Sequence, residues 1–600
     1  MGAGNATVTD INAAAKIAVR HNLKLVFIIK GIIILHETKR RKILVVNSVF
    51  LLKTFKAYVI IVSNRKGKEI LKMQNGKLGV MLDCSRNAVM KPEQIKKFVD
   101  YISAFGYNML ELYTEDTLET VDEPYFGYMR GRYTAAEIKD IDEYCKSKGV
   151  ELIPCIQTLA HLGCIFRWGD YEKIRDVNDI LLIGEERTYA FIENIFTSLE
   201  RNFTSRTVNI GMDEAHMVGL GKYLDKHGYR DRFGLLKEHL ERVISIAKEH
   251  GFKPVMWSDM FFRLAAHGDY YGNVKGAAEF LKDKVPEGVG LTYWDYYHTE
   301  KRTYDQMNKE HKALDGDSWF AGGAWTWHGF APFNAWTMKT MRPAMLSAKD
   351  HGVNNILITM WGDNGKECSF YSVLPSLYYI AETYRGEKSL KKIKEGFNRI
   401  TGENFDSFMK LDTPNYIGGN KANFNPCKYM LYNDLLTGIY DVYVPDGTAA
   451  EYKKHAAAIK RAGKNSKFKY IFECLYRLCD LLAVKSELGK KIRAAYNSGD
   501  KEELRKLVAE IKKCEVKLDR FYPCFAEVWK RENKPFGFEV QDARLGGLKR
   551  RLITVRERLT EYLDGKADVI PELEETLLKH DELTLASDGV WTRIVSANNV

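Results

Sequence analysis

Two adjacent acids, Asp213 and Glu214, sit in the run TVNIGMDEAH and are the residues best suited to chemistry in this sequence. Neighbouring side chains at the end of an extended segment point in different directions, so two carboxyls can act on one substrate in separate roles. A carboxyl whose pKa is raised serves as general acid, while an ionised neighbour stabilises positive charge. Taken alone, the pair reads more readily as a solvated acidic turn or a helix N-cap. The tryptophans shift that balance. Trp257, Trp294, Trp325, Trp327 and Trp361 are five of the ten Trp, and each closes or follows a short apolar segment. Aromatic faces stack on the apolar faces of sugar rings, so five on one rim favour a carbohydrate pocket.

Elements that could place these residues alternate regularly from Leu78 onward. Strands are expected at 78–84, 108–113, 151–156, 207–211, 253–257, 289–294, 318–324 and 355–360. Helical patterns lie between them, including 92–105, 134–148, 187–199, 233–249 and 338–350. Thr134-x-x-Glu137 reads as a capping box, and Gly106, Gly149, Gly251 and Gly352 stop helices just before the next strand. Eight strands alternating with helices over about 300 residues fit an α/β fold, a (β/α)8 TIM barrel. An open doubly wound sheet is disfavoured because no G-x-G-x-x-G follows the first strand. A barrel demands chemistry at the C-terminal ends of its strands. Ser85-Arg86-Asn87, Glu115-Asp116, Gln157 to His161, Asp213-Glu214, Trp257 to Asp259, Trp294-Asp295-Tyr296, Trp325-Thr326-Trp327 and Trp361-Gly362-Asp363 all fall there. Beyond about 385 the strand signal gives way to helices, with Phe472, Leu475, Leu478, Cys479 and Leu482 along one face. Three domains are expected: a small basic α/β domain over 1–77, the barrel over 78–385 and an all-α domain over 386–600.

Charge separates the first of these from the rest. Of the 600 residues, 90 are Lys or Arg and 79 Asp or Glu, a formal charge of +11. Residues 1–77 carry 15 basic and three acidic residues, so the rest of the chain is nearly neutral. Asp213-Glu214-Ala215-His216 spells a helicase signature, yet none of the seven Gly-Lys pairs is followed by the Ser or Thr of a phosphate-cradling loop. No nucleic-acid partner is expected. Basic residues interrupt every apolar window of spanning length in the N-terminal arm, so no membrane association is expected either. Ten scattered Cys without a C-x-x-C pair suit reduced thiols and a cytoplasmic location. His161, Cys164 and Cys155 lack a fourth ligand, and no metal or cofactor is expected. The sequence does not set an oligomeric state.

VNIGMDEAH, together with LDCSRN, PCIQTLAHL, MWSDMFF, YWDYY and MWGDNG, resembles glycoside hydrolase family 20, the exo-β-N-acetylhexosaminidases. The resemblance spans nearly all of 78–600 and is strongest to a bacterial branch with a small N-terminal α/β domain and a helical C-terminal domain. It implies removal of terminal, non-reducing β-linked GlcNAc or GalNAc from glycans or oligosaccharides, with retention and no protein nucleophile. Glu214 would protonate the glycosidic oxygen and later activate water. The substrate's own acetamido oxygen would attack the anomeric carbon, and Asp213 would orient the acetamide and stabilise the resulting oxazolinium. Arg86 and Asp363 would grip the ring hydroxyls at the non-reducing end. Glu115 or Asp116, with His161, would support the acid and its pocket, and Trp257, Trp294 and Trp361 would wall the acetamide. The loop Tyr125-Phe126-Gly127-Tyr128 would shape the aglycone side. Two departures stand out. The family often has an Asp four residues before the His, where this chain has Gln157. The family's acetamide-binding Tyr follows the seventh strand, where Trp325 and Trp327 stand, leaving Tyr296 after the sixth as the alternative hydroxyl.

Overall fold

The computed structural model describes residues 76–418 and 425–579, with the backbone of three strands nearer the N-terminus. The chain divides into two compact units, Met1–Gly76 and Lys77–Val600. In the first, β1 (Lys24–Ile29), β2 (Ile32–His36) and β3 (Arg41–Leu44) form an antiparallel sheet in sequence order. The β1–β2 register sets Ile29 against Ile32 and Lys24 against His36. The apolar runs 25–29 and 32–35 therefore lie in strands, whereas 45–52 and 57–62 lie outside the described residues.

The second unit holds the barrel. Its strands are β4 (Lys77–Asp83), β5 (Met109–Tyr113), β6 (Glu151–Cys155) and β7 (Thr207–Asn209). They continue as β8 (Lys253–Trp257), β9 (Gly290–Trp294), β10 (Trp319–Gly323) and β11 (Asn355–Met360). All are parallel and neighbour one another in sequence order, and β11 closes the ring by pairing Asn355 with Lys77 and Met360 with Leu82. Strands covered on both faces read as continuous apolar runs, as LGVML in β4 and ILITM in β11 do. β7 stops two residues earlier than its apolar run suggests. Gly211 and Met212 turn into left-handed conformation there, at φ 72° and 69°.

Among the described residues, the longer helices that cover the outside are α1 (Pro92–Phe105), α2 (Ala135–Ser147), α3 (Glu186–Asn202), α4 (Arg232–Glu249), α5 (Lys301–Leu314), α6 (Asn334–Asp350) and α7 (Leu374–Arg385). α1 begins on Pro92, whose missing N–H is one the first turn leaves unused, and buries Ile95, Phe98, Val99, Ile102 and Phe105. Gly106 ends it at φ 86°, a conformation that favours glycine. α2 starts with both bonds of the capping box in place, Glu137 N–H to Thr134 Oγ1 at 3.2 Å and Thr134 N–H to Glu137 Oε2 at 2.8 Å.

The helical region packs onto the barrel within the same unit. It includes α8 (Pro426–Tyr432), α9 (Thr448–Ala462), α10 (Lys469–Lys485), α11 (Lys501–Glu532) and α12 (Phe538–Leu563). The predicted stripe Phe472, Leu475, Leu478, Cys479 and Leu482 is buried on α10. The end of α11 bonds to the loop after β4 through Lys91 N–H to Glu532 O (2.9 Å) and Lys534 N–H to Val89 O (2.8 Å). Phe330, following β10, meets Phe521 and Phe525 of α11 edge-on at 5.6 and 5.2 Å. The helices thus dock against loops at the C-terminal end of the barrel strands. Among the described residues, no helix is long and apolar enough to cross a membrane.

Candidate active site

Asp213 and Glu214 follow β7 on a backbone that only a few residues tolerate. Glu214 itself is left-handed at φ 53°. Gly211 cannot be replaced without collision, because a Cβ there would lie 2.1 Å from Gln157 Oε1 and 2.8 Å from Ile156 O. Contacts from neighbouring strand ends hold this turn. Met212 N–H donates to Gln157 Oε1 (3.2 Å), and Glu214 N–H donates to Asp259 Oδ2 (3.1 Å).

The turn sends its two carboxyls into different surroundings. Asp213 is almost fully buried, and its Oδ1 accepts a hydrogen bond from Gln157 Nε2 at 2.8 Å. His161 Nε2 stands 3.2 Å from Asp213 Oδ2 and 3.8 Å from Glu214 Oε2. Burial alone would raise the Asp213 carboxyl, but His161 and the Gln157 amide hold it below its ordinary value. Burial would likewise lower His161, yet the Asp213 carboxylate lifts it to about 9. The Glu214 side chain is 45% exposed and open to an incoming group. Asp259 is fully buried, and burial followed by the Asp213 charge pushes its carboxyl up to about 7.

A second cluster adjoins the first. Arg86 Nε donates to Glu115 Oε1 (2.9 Å), and its Nη1 pairs with Asp363. The guanidinium lies 5.4 Å from the Trp361 ring centroid and 5.5 Å from that of Tyr113. Burial raises the Glu115 carboxyl, with Arg86 opposing. Tyr113, the last residue of β5, joins the clusters: its hydroxyl accepts from Gln157 Nε2 (3.0 Å) and donates to Glu115 Oε1 (3.0 Å). Asp83 fixes the loop under Arg86 by accepting from Ser85 N–H (3.0 Å) and, across the barrel seam, from Gly362 N–H (2.9 Å).

The aromatic wall sorts into rings that keep a sliver of exposed surface and rings sealed behind them. Trp294 stacks on Tyr296 at 5.4 Å, Tyr296 meets Trp327 edge-on at 5.5 Å, and Trp361 lies edge-on to Tyr113 at 4.9 Å. Trp325 was expected among the substrate contacts, but it has no accessible surface. It stacks under Trp327 at 4.4 Å and donates its indole N–H to Tyr296 O (3.1 Å), so it braces the wall instead of facing a ligand. Trp257, 6.1 Å from Trp361, is also nearly closed off. Of the pair Glu115 and Asp116, only Glu115 reaches Arg86. Asp116 is engaged by Arg130, whose Nε lies 3.1 Å from both carboxylate oxygens. Gln157 does not replace the family's Asp beside His161, since its amide goes to Asp213 and Tyr113. The acid nearest the far ring nitrogen of His161 is Asp179, with Oδ2 4.0 Å from Nδ1 and 3.2 Å from the His161 backbone N.

Sequence reasoning assigned no role to Tyr113, Asp179 or Asp259. Tyr113 was legible only as a strand residue, though an aromatic ending a barrel strand lies at the rim where chemistry sits. His161, Asp213 and Glu214 together could also present ligand atoms to a metal, as could Glu115, Asp116 and Cys164. In the first group the imidazole is raised by Asp213, so the carboxylate already has a cationic partner. In the second, Arg130 occupies Asp116.

Two stretches of the chain match known family descriptions. Residues 78–320 match "Glycosyl hydrolase family 20, catalytic domain", and residues 406–589 match "Glycoside Hydrolase 20C C-terminal domain". The chain is similar to a probable beta-hexosaminidase of Arthroderma benhamiae, at 22% identity over 36% of this chain and 38% of that one. It is similar to hexosaminidase D of Bos taurus at 24% identity, over 32% of this chain and 55% of that one. These matches thus span well under half of the first relative and little more than half of the second. Among solved structures, the chitobiase of Flavobacterium johnsoniae is 15% identical, covers 76% of this chain and 78% of that one, and has a TM-score of 0.43. With residues 78–320 of the barrel and 406–589 of the helical region matched, the chain belongs to glycoside hydrolase family 20.

Proposed function

We propose that the protein is a retaining exo-β-N-acetylhexosaminidase that releases terminal β-linked GlcNAc or GalNAc by substrate-assisted catalysis. The observation that carries this reading is the unequal setting of two adjacent carboxyls: Asp213 buried against His161 and Gln157, Glu214 open. Glu214 gives its proton to the glycosidic oxygen as the bond to the anomeric carbon breaks. The acetamido carbonyl oxygen of the same sugar closes onto that carbon, giving an oxazolinium. Its N–H is positive, and the ionised Asp213 accepts a hydrogen bond from it. Water, deprotonated by Glu214, then opens the ring with net retention. Arg86 and Asp363 hold ring hydroxyls, and Trp294, Tyr296, Trp327 and Trp361 enclose the acetamide. The exposed Tyr125 and Tyr128, grouped with Trp168 at 5.7 and 5.4 Å, suit the aglycone side. Ten unpaired cysteines, eight of them buried, support a cytoplasmic setting.

The test compares 4-nitrophenyl β-glycosides with and without the acetamido group, in the parent and in Glu214→Gln. Turnover of the N-acetyl substrate alone, abolished in the variant, is expected. A thiazoline analogue of the intermediate should inhibit tightly. Equal turnover of glycosides lacking the acetamide, with no thiazoline inhibition, would indicate a protein nucleophile and sink the reading.

A further inference from the structure

Asp363 sits in a loop whose backbone is unfavourable on its own. Asn364, Gly365 and Lys366 are consecutively left-handed, at φ 59°, 119° and 56°. Left-handed conformation costs roughly 1 kcal/mol or more at each non-glycine residue, so the loop needs partners from elsewhere.

Those partners come from the helical region. Asn364 O accepts from Arg544 Nη1 (2.6 Å) and from Lys428 Nζ (3.0 Å). Gly365 O accepts from Gln541 Nε2 (2.8 Å). A Cβ on Gly365 would lie 2.6 Å from Arg544 Nη1 and 2.8 Å from Gln541 Nε2, so helix and loop are in close contact. Glu367, buried to 1%, ties the two cations together through Lys428 (2.7 Å) and Arg544 (3.1 Å). The same helix start also holds the other half of the ion pair. Asn87, next to Arg86 and left-handed at φ 83°, donates its amide to Gly537 O at 2.8 Å, just before α12.

We propose that Gln541 and Arg544 of α12, with Lys428 of α8 and Glu367, are positioning residues for sugar recognition. They hold the loop bearing Asp363, and the start of α12 at Gly537 holds the Arg86 loop beside it, so the helical region completes the sugar site. The inference rests on the reading that Arg86 and Asp363 grip ring hydroxyls. None of the four need touch the sugar.

A double-mutant cycle on the full chain tests it. kcat and KM for 4-nitrophenyl N-acetyl-β-glucosaminide are measured for the parent, Asp363→Ala, Gln541→Ala, Arg544→Met and each helix variant combined with Asp363→Ala. Gln541→Ala and Arg544→Met are expected to raise KM roughly five- to tenfold, with kcat changed far less. That loss should vanish in the Asp363→Ala background, and Arg544→Lys should recover part of it. Thermal unfolding checks the fold, and if Arg544→Met does not fold, Gln541→Ala decides alone. An unchanged KM in folded Gln541→Ala, or an equal fold-loss with and without Asp363, overturns the inference while leaving the sugar reading intact. A parent-like KM in Asp363→Ala overturns the sugar reading itself, and this inference with it.

Discussion

His161 Nε2 lies 3.2 Å from Asp213 Oδ2, and this contact ties the charge of the imidazole to that of the buried carboxylate. The His161 pKa in the fold is about 9, above its ordinary 6.5. A raised histidine pKa means the pair's stabilisation is complete below 6.5 and is lost as pH climbs through 9. Asp213→Asn removes the main attraction, so burial should then bring the imidazole down below 9. An NMR titration of the His161 ring in parent and variant measures this; an unmoved pKa would mean another group holds the proton.

Gln157 serves as a donor to Asp213 (2.8 Å) and Tyr113 (3.0 Å) and as an acceptor for Met212 N–H (3.2 Å). Gln157→Glu keeps the length but turns a carboxylate toward Asp213. We expect kcat/KM to fall about tenfold or more, mostly in kcat, since two facing carboxylates cannot both stay ionised. Steady-state kinetics at pH 5 and pH 8 measure it. The loss should be greater at pH 8, where the single proton that relieves the facing pair is harder to supply than at pH 5.

Glu111 lies inside the barrel with no exposed surface, and burial, partly offset by Asn209, pushes its carboxyl from 4.5 up to about 8. The folded state therefore holds a proton that the unfolded chain releases above 4.5. Stability from this site falls as pH rises from 4.5 to 8, by about 1.4 kcal/mol per pH unit. Glu111→Gln should remove that slope and stabilise the protein increasingly toward pH 8. Urea unfolding of both proteins at pH 5 and pH 8 tests the sign.

Gly546 and Gly547 lie in the middle of α12, and a Cβ at either would meet nothing within 4 Å. Replacing each with Ala should stabilise the helix by about 1 kcal/mol. Both are exposed, so activity should be unchanged and the thermal midpoint higher. A lower midpoint would indicate that the helix needs its glycines for a bend or a partner.

Alternation of apolar runs with amphipathic stretches placed all eight barrel strands within two residues, because burial on both faces leaves a dense local signal. The polar residues after those strands were legible for the same reason: a barrel brings its strand ends to one rim. Thus Arg86, Glu115, His161, Asp213, Glu214 and Asp363 could be picked out from position. Burial of a ring was not legible. Trp325 and Trp327 are two residues apart after the same strand, yet one is sealed beneath the other.

Local pattern, then, determined the barrel, the rim and the adjacent acids Asp213 and Glu214 on it. Tertiary structure alone decided the partnerships. Tyr113 connects Gln157 to Glu115 through one hydroxyl, Asp179 reaches His161 from a loop without regular pattern, and Gln541 and Arg544 reach back to the loop after β11. Such contacts join residues far apart in the chain through single hydrogen bonds and charges. Their formation depends on where folded elements meet, which no periodicity encodes.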